Sequence, residues 1–176
     1  MTYPVFASGD VLNASDMNAV GLWLVKSQTI GSAVSSVTVS DAFTANYPNY
    51  RIVVSNCVPS TTLSINITLG SAATNYVWSG YYVDPATGTL NANSSAGTTS
   101  WASFMPATTA GLNGFFDLID PQLARPSKIF AANSRAGLTI DYQGLLSDTT
   151  AYTAFTLTTT TGTLTGGTVR VYGFRA

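Results

Sequence analysis

The sequence offers few side chains that could carry out acid–base chemistry. It contains no histidine, and each of its eight acidic residues is an aspartate. The nearest pair of carboxylates is Asp117 and Asp120 in FFDLIDP, and paired carboxylates are the usual machinery of glycoside hydrolysis. A spacing of three residues along a strand places two side chains on opposite faces. We therefore predict turn and edge roles for Asp117 and Asp120.

The single cysteine, Cys57, lies in the apolar run RIVVSNCV. A nucleophilic thiol needs a partner base, and zinc sites draw on several Cys and His side chains. The residue types present therefore predict a small buried hydrophobic role for Cys57. We predict no catalytic residue, no metal site and no cofactor, and we expect a protein that is not an enzyme.

Aromatic side chains form the best candidate binding surface. The run YVWSGYYV is followed by SWASF, and the candidates are Tyr76, Trp78, Tyr81, Tyr82 and Trp101. Exposed rings can stack on sugars, which would make this a glycan-binding surface. Aromatic residues also dominate cores and subunit contacts, and we favour that interpretation over a ligand site.

The charge pattern argues against nucleic acid as a partner. Seven basic residues are scattered along 176 residues, and the net charge is −1, whereas phosphate binding needs a concentrated basic face. Only 9% of residues are charged, against about 25% in an average soluble domain. No apolar run approaches the roughly 20 residues that a membrane-spanning helix needs. Such a weakly charged surface is typical of proteins that work in assemblies.

The elements that must position these residues are short strands. In TTLSINITLG, four aliphatic side chains alternate with polar ones, which predicts a strand with one buried face. About ten such runs, separated by Gly, Pro and Asn, predict an all-β, antiparallel two-sheet sandwich that is jelly-roll-like. The polar stretch TLNANSSAGTTS is predicted to be a surface loop.

The chain divides into two parts, an N-terminal segment (residues 1–21) and a β domain (residues 22–176). In the segment, NASDMNAV predicts a short helix that Asn13 or Ser15 caps. Helices of fewer than about 12 residues are marginal in water. We therefore expect this helix to dock on another surface.

The N-terminal stretch FASGDVLNASDMNAVG resembles a segment found in fibre and minor tail proteins of tailed bacteriophages. The residues that carry the resemblance are Phe6, Gly9, Asp10, Leu12, Ser15, Asp16, Met17 and Asn18. Ser15 stands where alanine is commoner in such segments. The C-terminal GGTVRVYGFR is similar to the last strand of many of the same β modules.

The resemblance implies a virion structural protein rather than an enzyme. The N-terminal segment would be an attachment or trimer-organising element, and the partners would be two further copies of the chain and other virion proteins. The chain has no stalk repeats, so it resembles a compact knob on the particle surface, on tail or capsid, assembled in the host cytoplasm. A capsid decoration protein and a module that binds host surface polysaccharide are the alternatives, with a glycan-cleaving depolymerase the weakest.

Overall fold

The structure, a computed structural model, describes Gly9 and residues 21–175. Within these residues the chain forms thirteen β-strands and no helix. The strands are β1 (Trp23–Thr29), β2 (Ser36–Val39), β3 (Asn49–Pro59), β4 (Leu63–Leu69), β5 (Tyr76–Asp84), β6 (Thr89–Thr98), β7 (Trp101–Ala107), β8 (Leu112–Ile119), β9 (Ser127–Arg135), β10 (Leu138–Leu146), β11 (Phe155–Thr159), β12 (Leu164–Thr165) and β13 (Thr168–Phe174). The predicted all-β class is confirmed for the described residues.

The strands assemble into two antiparallel sheets. The larger sheet has the order β1-β13-β3-β8-β9-β10-β5-β6, and the short β12 pairs with β3. The smaller sheet has the order β2-β11-β4-β7. Every pair of neighbouring strands is antiparallel. The apolar faces of both sheets meet in one buried core, so the described chain is a two-sheet β-sandwich.

Strand β4 shows how the side-chain pattern produces the core. Its four aliphatic side chains point to one face and are at most 4% exposed. The polar side chains between them are all partly exposed on the other face. The buried set is Leu63, Ile65, Ile67 and Leu69.

Two clusters of aromatic rings fill the core. In the first, Phe155 of β11 stacks on Phe43 at 5.7 Å and meets Phe116 edge-on at 6.0 Å. The second cluster joins β7 to the strands at the far end of the larger sheet. Its members are Tyr76, Trp78, Trp101, Phe104 and Tyr142.

Two hairpins, β5–β6 and β9–β10, extend the larger sheet beyond β8. Strand β6 is formed by TLNANSSAGT, for which the sequence predicts a loop, and that prediction is wrong. None of its residues is buried, so no hydrophobic alternation marks it as a strand. Pairing with β5, from Tyr76–Thr98 to Asp84–Thr89, holds it in the sheet.

The side chain of Asn133 links the extension to the rest of the sandwich. Backbone pairing between β8 and β9 covers only Asp117 to Ile119. Beyond it, Asn133 Oδ1 accepts the backbone N–H of Phe115 at 3.0 Å, and Nδ2 donates to the carbonyls of Phe115 and Phe104. One amide therefore ties β9 to β8 in its own sheet and to β7 in the other.

The buried hydroxyl of Tyr76 generates a prediction about alkaline stability. It accepts a hydrogen bond from the Leu69 backbone N–H at 2.8 Å, and burial raises the pKa of Tyr76 from 10.0 to about 12. A raised folded-state pKa contributes stability that is complete below pH 10 and is lost as the pH rises towards 12. We expect this residue to account for about 3 kcal/mol of alkaline destabilisation.

Tyr76→Phe should remove that part of the alkaline loss. At neutral pH it should cost about 1–3 kcal/mol, because the Leu69 N–H loses its acceptor. Urea unfolding between pH 7 and pH 12 measures both effects. Tyr81→Phe, on an exposed ring, is the control for removing a hydroxyl at neutral pH. An unchanged alkaline slope in Tyr76→Phe would contradict the assignment.

Candidate functional site

Three of the five candidate aromatic residues lie in the core. Tyr76 and Trp101 are fully buried and Trp78 is 6% exposed. The ring of Trp78 packs 5.5 Å from Tyr142 and 6.2 Å from Phe104. The three candidate rings, Tyr76, Trp78 and Trp101, therefore hold the hairpin extension onto β7. They present no face to a glycan in this fold.

The other two candidates lie on opposite faces of β5. Tyr81 is 45% exposed, and its hydroxyl donates to Asp141 Oδ2 on the neighbouring β10 at 3.3 Å. Tyr82 is partly buried and packs against the core. Of the predicted aromatic surface, Tyr81 alone is well exposed, and a carboxylate lies beside its hydroxyl.

The solvent faces of the two sheets differ in chemistry. On the smaller sheet, hydroxyls and amides stand opposite one another across three strands, as in Thr38–Thr156–Thr68 and Ser36–Thr158–Asn66. Thr38 and Thr156 also share a hydrogen bond of 3.0 Å between their hydroxyls. Polar side chains dominate the part of this face formed by β2, β11 and β4, which makes it the poorer candidate for subunit contact.

The solvent face of the larger sheet carries a group of apolar side chains that we call the outer-face patch, comprising Val77, Phe115, Phe130 and Leu145. Phe130 is 44% exposed, Val77 is 40% and Phe115 is 38%. Val77 stands directly opposite Leu145. A shallow groove between them and Phe130 is bordered by Ser79, Lys128 and Gln143. Exposed apolar clusters of this kind mark contact surfaces more often than single apolar residues do.

One row of side chains crosses all eight strands of this face. Backbone register places its members opposite one another from edge to edge: Leu24, Tyr172, Arg51, Asp117, Phe130, Gln143, Ser79 and Ser94. The first member, Leu24, is 56% exposed on the edge strand β1. The row shows that the patch belongs to a continuous surface that reaches the strand following the N-terminal segment.

An ion pair neutralises the charge beside the outer-face patch. Arg51 donates to both carboxylate oxygens of Asp117, at 2.8 and 2.7 Å, and its guanidinium lies 4.8 Å from the centre of the Phe115 ring. The bonds to Asp117 raise the pKa of Arg51 above its ordinary value. This part of the surface therefore combines an aromatic ring with no net charge.

The two carboxylates of FFDLIDP are held by different partners. Asp117 lies on β8, an interior strand rather than an edge, and binds Arg51. Asp120 follows that strand with a φ of +59° and binds Arg125 at 2.7 Å. The turn role of Asp120 is confirmed, and the edge role of Asp117 is wrong.

Cys57 is fully buried, and burial raises the pKa of its thiol. The predicted hydrophobic role is therefore confirmed. Among the described residues, no group of three or more Cys or Asp side chains is placed to hold a metal ion.

Apart from Gly9 and Gly21, the predicted attachment segment lies outside the described residues. This applies to its helix and to the residues Phe6, Asp10, Leu12, Asp16, Met17 and Asn18. Gly9 is described, and it is exposed with a φ of +101°, a conformation that glycine adopts readily.

No protein-family model and no curated protein matches the chain. Across the described part of the chain, no helix is long and apolar enough to span a membrane.

The different burial of two candidate aromatics gives a direct test of their roles. Trp78→Ala should cost about 3–5 kcal/mol because it opens a cavity beside Phe104 and Tyr142. Tyr81→Ala, on the exposed face, should change the free energy of unfolding by no more than about 0.5 kcal/mol. Urea unfolding of both variants beside the parent chain measures the difference. Equal losses would contradict the placement of these rings.

Proposed function

We propose that this chain is a non-enzymatic structural protein of a tailed-phage virion, a compact fibre knob that its N-terminal segment anchors. The observation that carries the proposal is the strand order of the β domain, taken with the phage-like motif from Phe6 to Gly21. The knob would lie on the particle surface and associate with copies of itself. Three features support it, namely the strand order, the entry point of the segment and the outer-face patch.

The strand order supports a jelly roll. Eight strands remain once the two hairpins and β12 are set aside, and numbered in sequence they run 1-8-3-6 in the larger sheet and 2-7-4-5 in the smaller. Successive strands change sheet, except the fourth and fifth, which are neighbours. This is the double Greek-key pattern of jelly rolls, which recur in viral capsid and lectin domains.

The point where the N-terminal segment joins the β domain supports an anchoring role. Residues 1–21 lead directly into β1, which is the outermost strand of the larger sheet. Leu22 and Leu24 are 48% and 56% exposed there. An edge strand with exposed leucines presents unpaired backbone groups and apolar surface, and an assembly partner would cover both.

Low charge and the outer-face patch support self-association, for which a trimer is the form that the phage resemblance implies. Interfaces are enriched in aromatic residues and arginine and depleted in other charged side chains. Phe115, Phe130 and Arg51 match that composition, while Lys128, which takes part in no ion pair among the described residues, borders the groove.

Two alternatives keep specific support. A capsid decoration protein would use the same jelly-roll order, and copy number per particle separates it from a fibre, because hundreds of copies indicate the capsid. A module that recognises host polysaccharide is supported by the exposed ring of Tyr81 beside Asp141. Fibre knobs can combine this activity with the structural role.

Removal of residues 1–21 tests the anchoring role. The truncated chain should retain the circular dichroism and cooperative melting of a β-sandwich, because it keeps all thirteen described strands and the buried core residues from Ile30 to Val171. It should be missing from purified particles when immunoblotted beside the full-length chain. Normal incorporation of the truncated chain would overturn the proposal.

A charge placed in the outer-face patch tests self-association. Phe130→Asp should shift the protein from oligomer to monomer, because a desolvated carboxylate opposes apolar contact. Light scattering after size-exclusion chromatography measures the mass. Thr61→Asp, in the exposed turn between β3 and β4, adds the same charge elsewhere and should leave the mass unchanged. A parent chain that is monomeric at high concentration would remove the basis for the trimer.

A further inference from the structure

A cleft opens where the hairpin extension reaches past the smaller sheet. Burial on the inner face of β5 decreases from Tyr76, which is fully buried, to Tyr82, which is partly exposed. Strand β7 is the last strand of the smaller sheet, so the outer end of the extension has no sheet over it. The cleft has a volume of about 280 Å³, and its polar lining comes from Ser64, Tyr82, Asn93, Ser103 and Arg135.

Arg135 has unused hydrogen-bonding capacity in this cleft. Its Nε is buried without a hydrogen-bond partner among the described residues. One guanidinium nitrogen donates to the carbonyl of Ala136 at 3.1 Å, and none of the ion pairs in the described chain includes Arg135. A guanidinium has five N–H donors, and a buried donor without an acceptor is unfavourable. The arrangement therefore favours an incoming acceptor.

The opposite wall of the cleft is formed by an irregular part of β7. Ser103 has a φ of +64° in the middle of the strand, and its backbone N–H donates to Asn66 Oδ1 at 3.0 Å. The register between β4 and β7 shifts between Ile65 and Ile67. Non-glycine residues with positive φ are uncommon, and such backbone strain concentrates at binding sites.

We propose that this cleft binds a sugar residue that carries a carboxylate. The guanidinium fork of Arg135 matches a carboxylate in a paired geometry. The ring of Tyr82 offers an apolar face to a sugar, and Asn93, Ser64 and Ser103 supply an amide and two hydroxyls for sugar hydroxyls. One cation among neutral donors suits a singly charged saccharide better than a phosphate dianion.

This inference rests on the polysaccharide-binding part of the proposed function. It places the sugar-binding site in the cleft rather than at Tyr81. The ligand class is an acidic saccharide, such as a uronic or sialic acid at the end or side of a surface polysaccharide. The cleft is formed by one folded chain, and binding can be measured without a virion. Loss of particle incorporation and loss of sugar binding are therefore separate results.

Saturation-transfer NMR and calorimetry on the full chain test the proposal, with glucuronic acid, N-acetylneuraminic acid, glucose and inorganic phosphate as probes. At least one acidic sugar should bind at least tenfold more tightly than glucose, and phosphate should not compete with it. Arg135→Gln should weaken that binding at least tenfold. Lys128→Gln removes a positive charge from the same strand at an exposed position and should leave binding unchanged.

Arg135→Lys keeps the test decisive if Arg135→Gln lowers stability. Arg135→Lys keeps the charge but loses the guanidinium fork. The affinity for the acidic sugar should therefore still fall severalfold, while the melting temperature stays that of the parent chain. Equal binding of glucose and the acidic sugars would overturn the proposal. So would equal losses in Lys128→Gln and Arg135→Gln, effective competition by phosphate, or no binding of either acidic sugar.

Discussion

The unequal width of the two sheets governs the rest of the structure. The larger sheet places eight strands side by side, whereas the smaller sheet has four. A sandwich is stable where each apolar face is covered by the other sheet, so four strands cannot cover eight. The hairpins β5–β6 and β9–β10 must therefore be stabilised by something other than a facing sheet.

Aromatic side chains supply that stabilisation. At the edge of the smaller sheet, Phe104 of β7 contacts Trp78 and Tyr142 on the hairpins, and Trp101 meets the ring of Tyr76 edge-on at 5.0 Å. Large rings span a gap that aliphatic side chains would leave open, and they bury more area per residue. Gly144 makes room for them, because a Cβ at that position would lie 2.6 Å from the indole of Trp101. Where the rings end, the inner face of the extension is uncovered and the cleft begins.

The sequence predicts the parts of this fold that depend on local pattern. The alternation in β4 and the proline-bounded run of β3 are sufficient to predict these two strands, because one buried face imposes a period of two. Strand β6 escapes prediction because pairing with β5, rather than burial, holds its polar residues. Both faces of β5 carry aromatic side chains, so the pattern leaves open whether Trp78 or Tyr81 faces the core. The cleft has no local signature, since strands distant in sequence contribute its lining.

The distribution of charge connects the cleft to assembly. The net charge is −1 and only 9% of residues are charged, so long-range attraction contributes little to encounters with a partner. Binding at the proposed site would then depend on shape and on short-range hydrogen bonds, and a small cleft with one cation would bind a single sugar weakly. Weak sites become effective when several are held together, because the later contacts form at high effective concentration. If the chains associate through the outer face of the larger sheet as proposed, one assembly would present several clefts, one from each chain, and would bind a polysaccharide surface more tightly than a single chain.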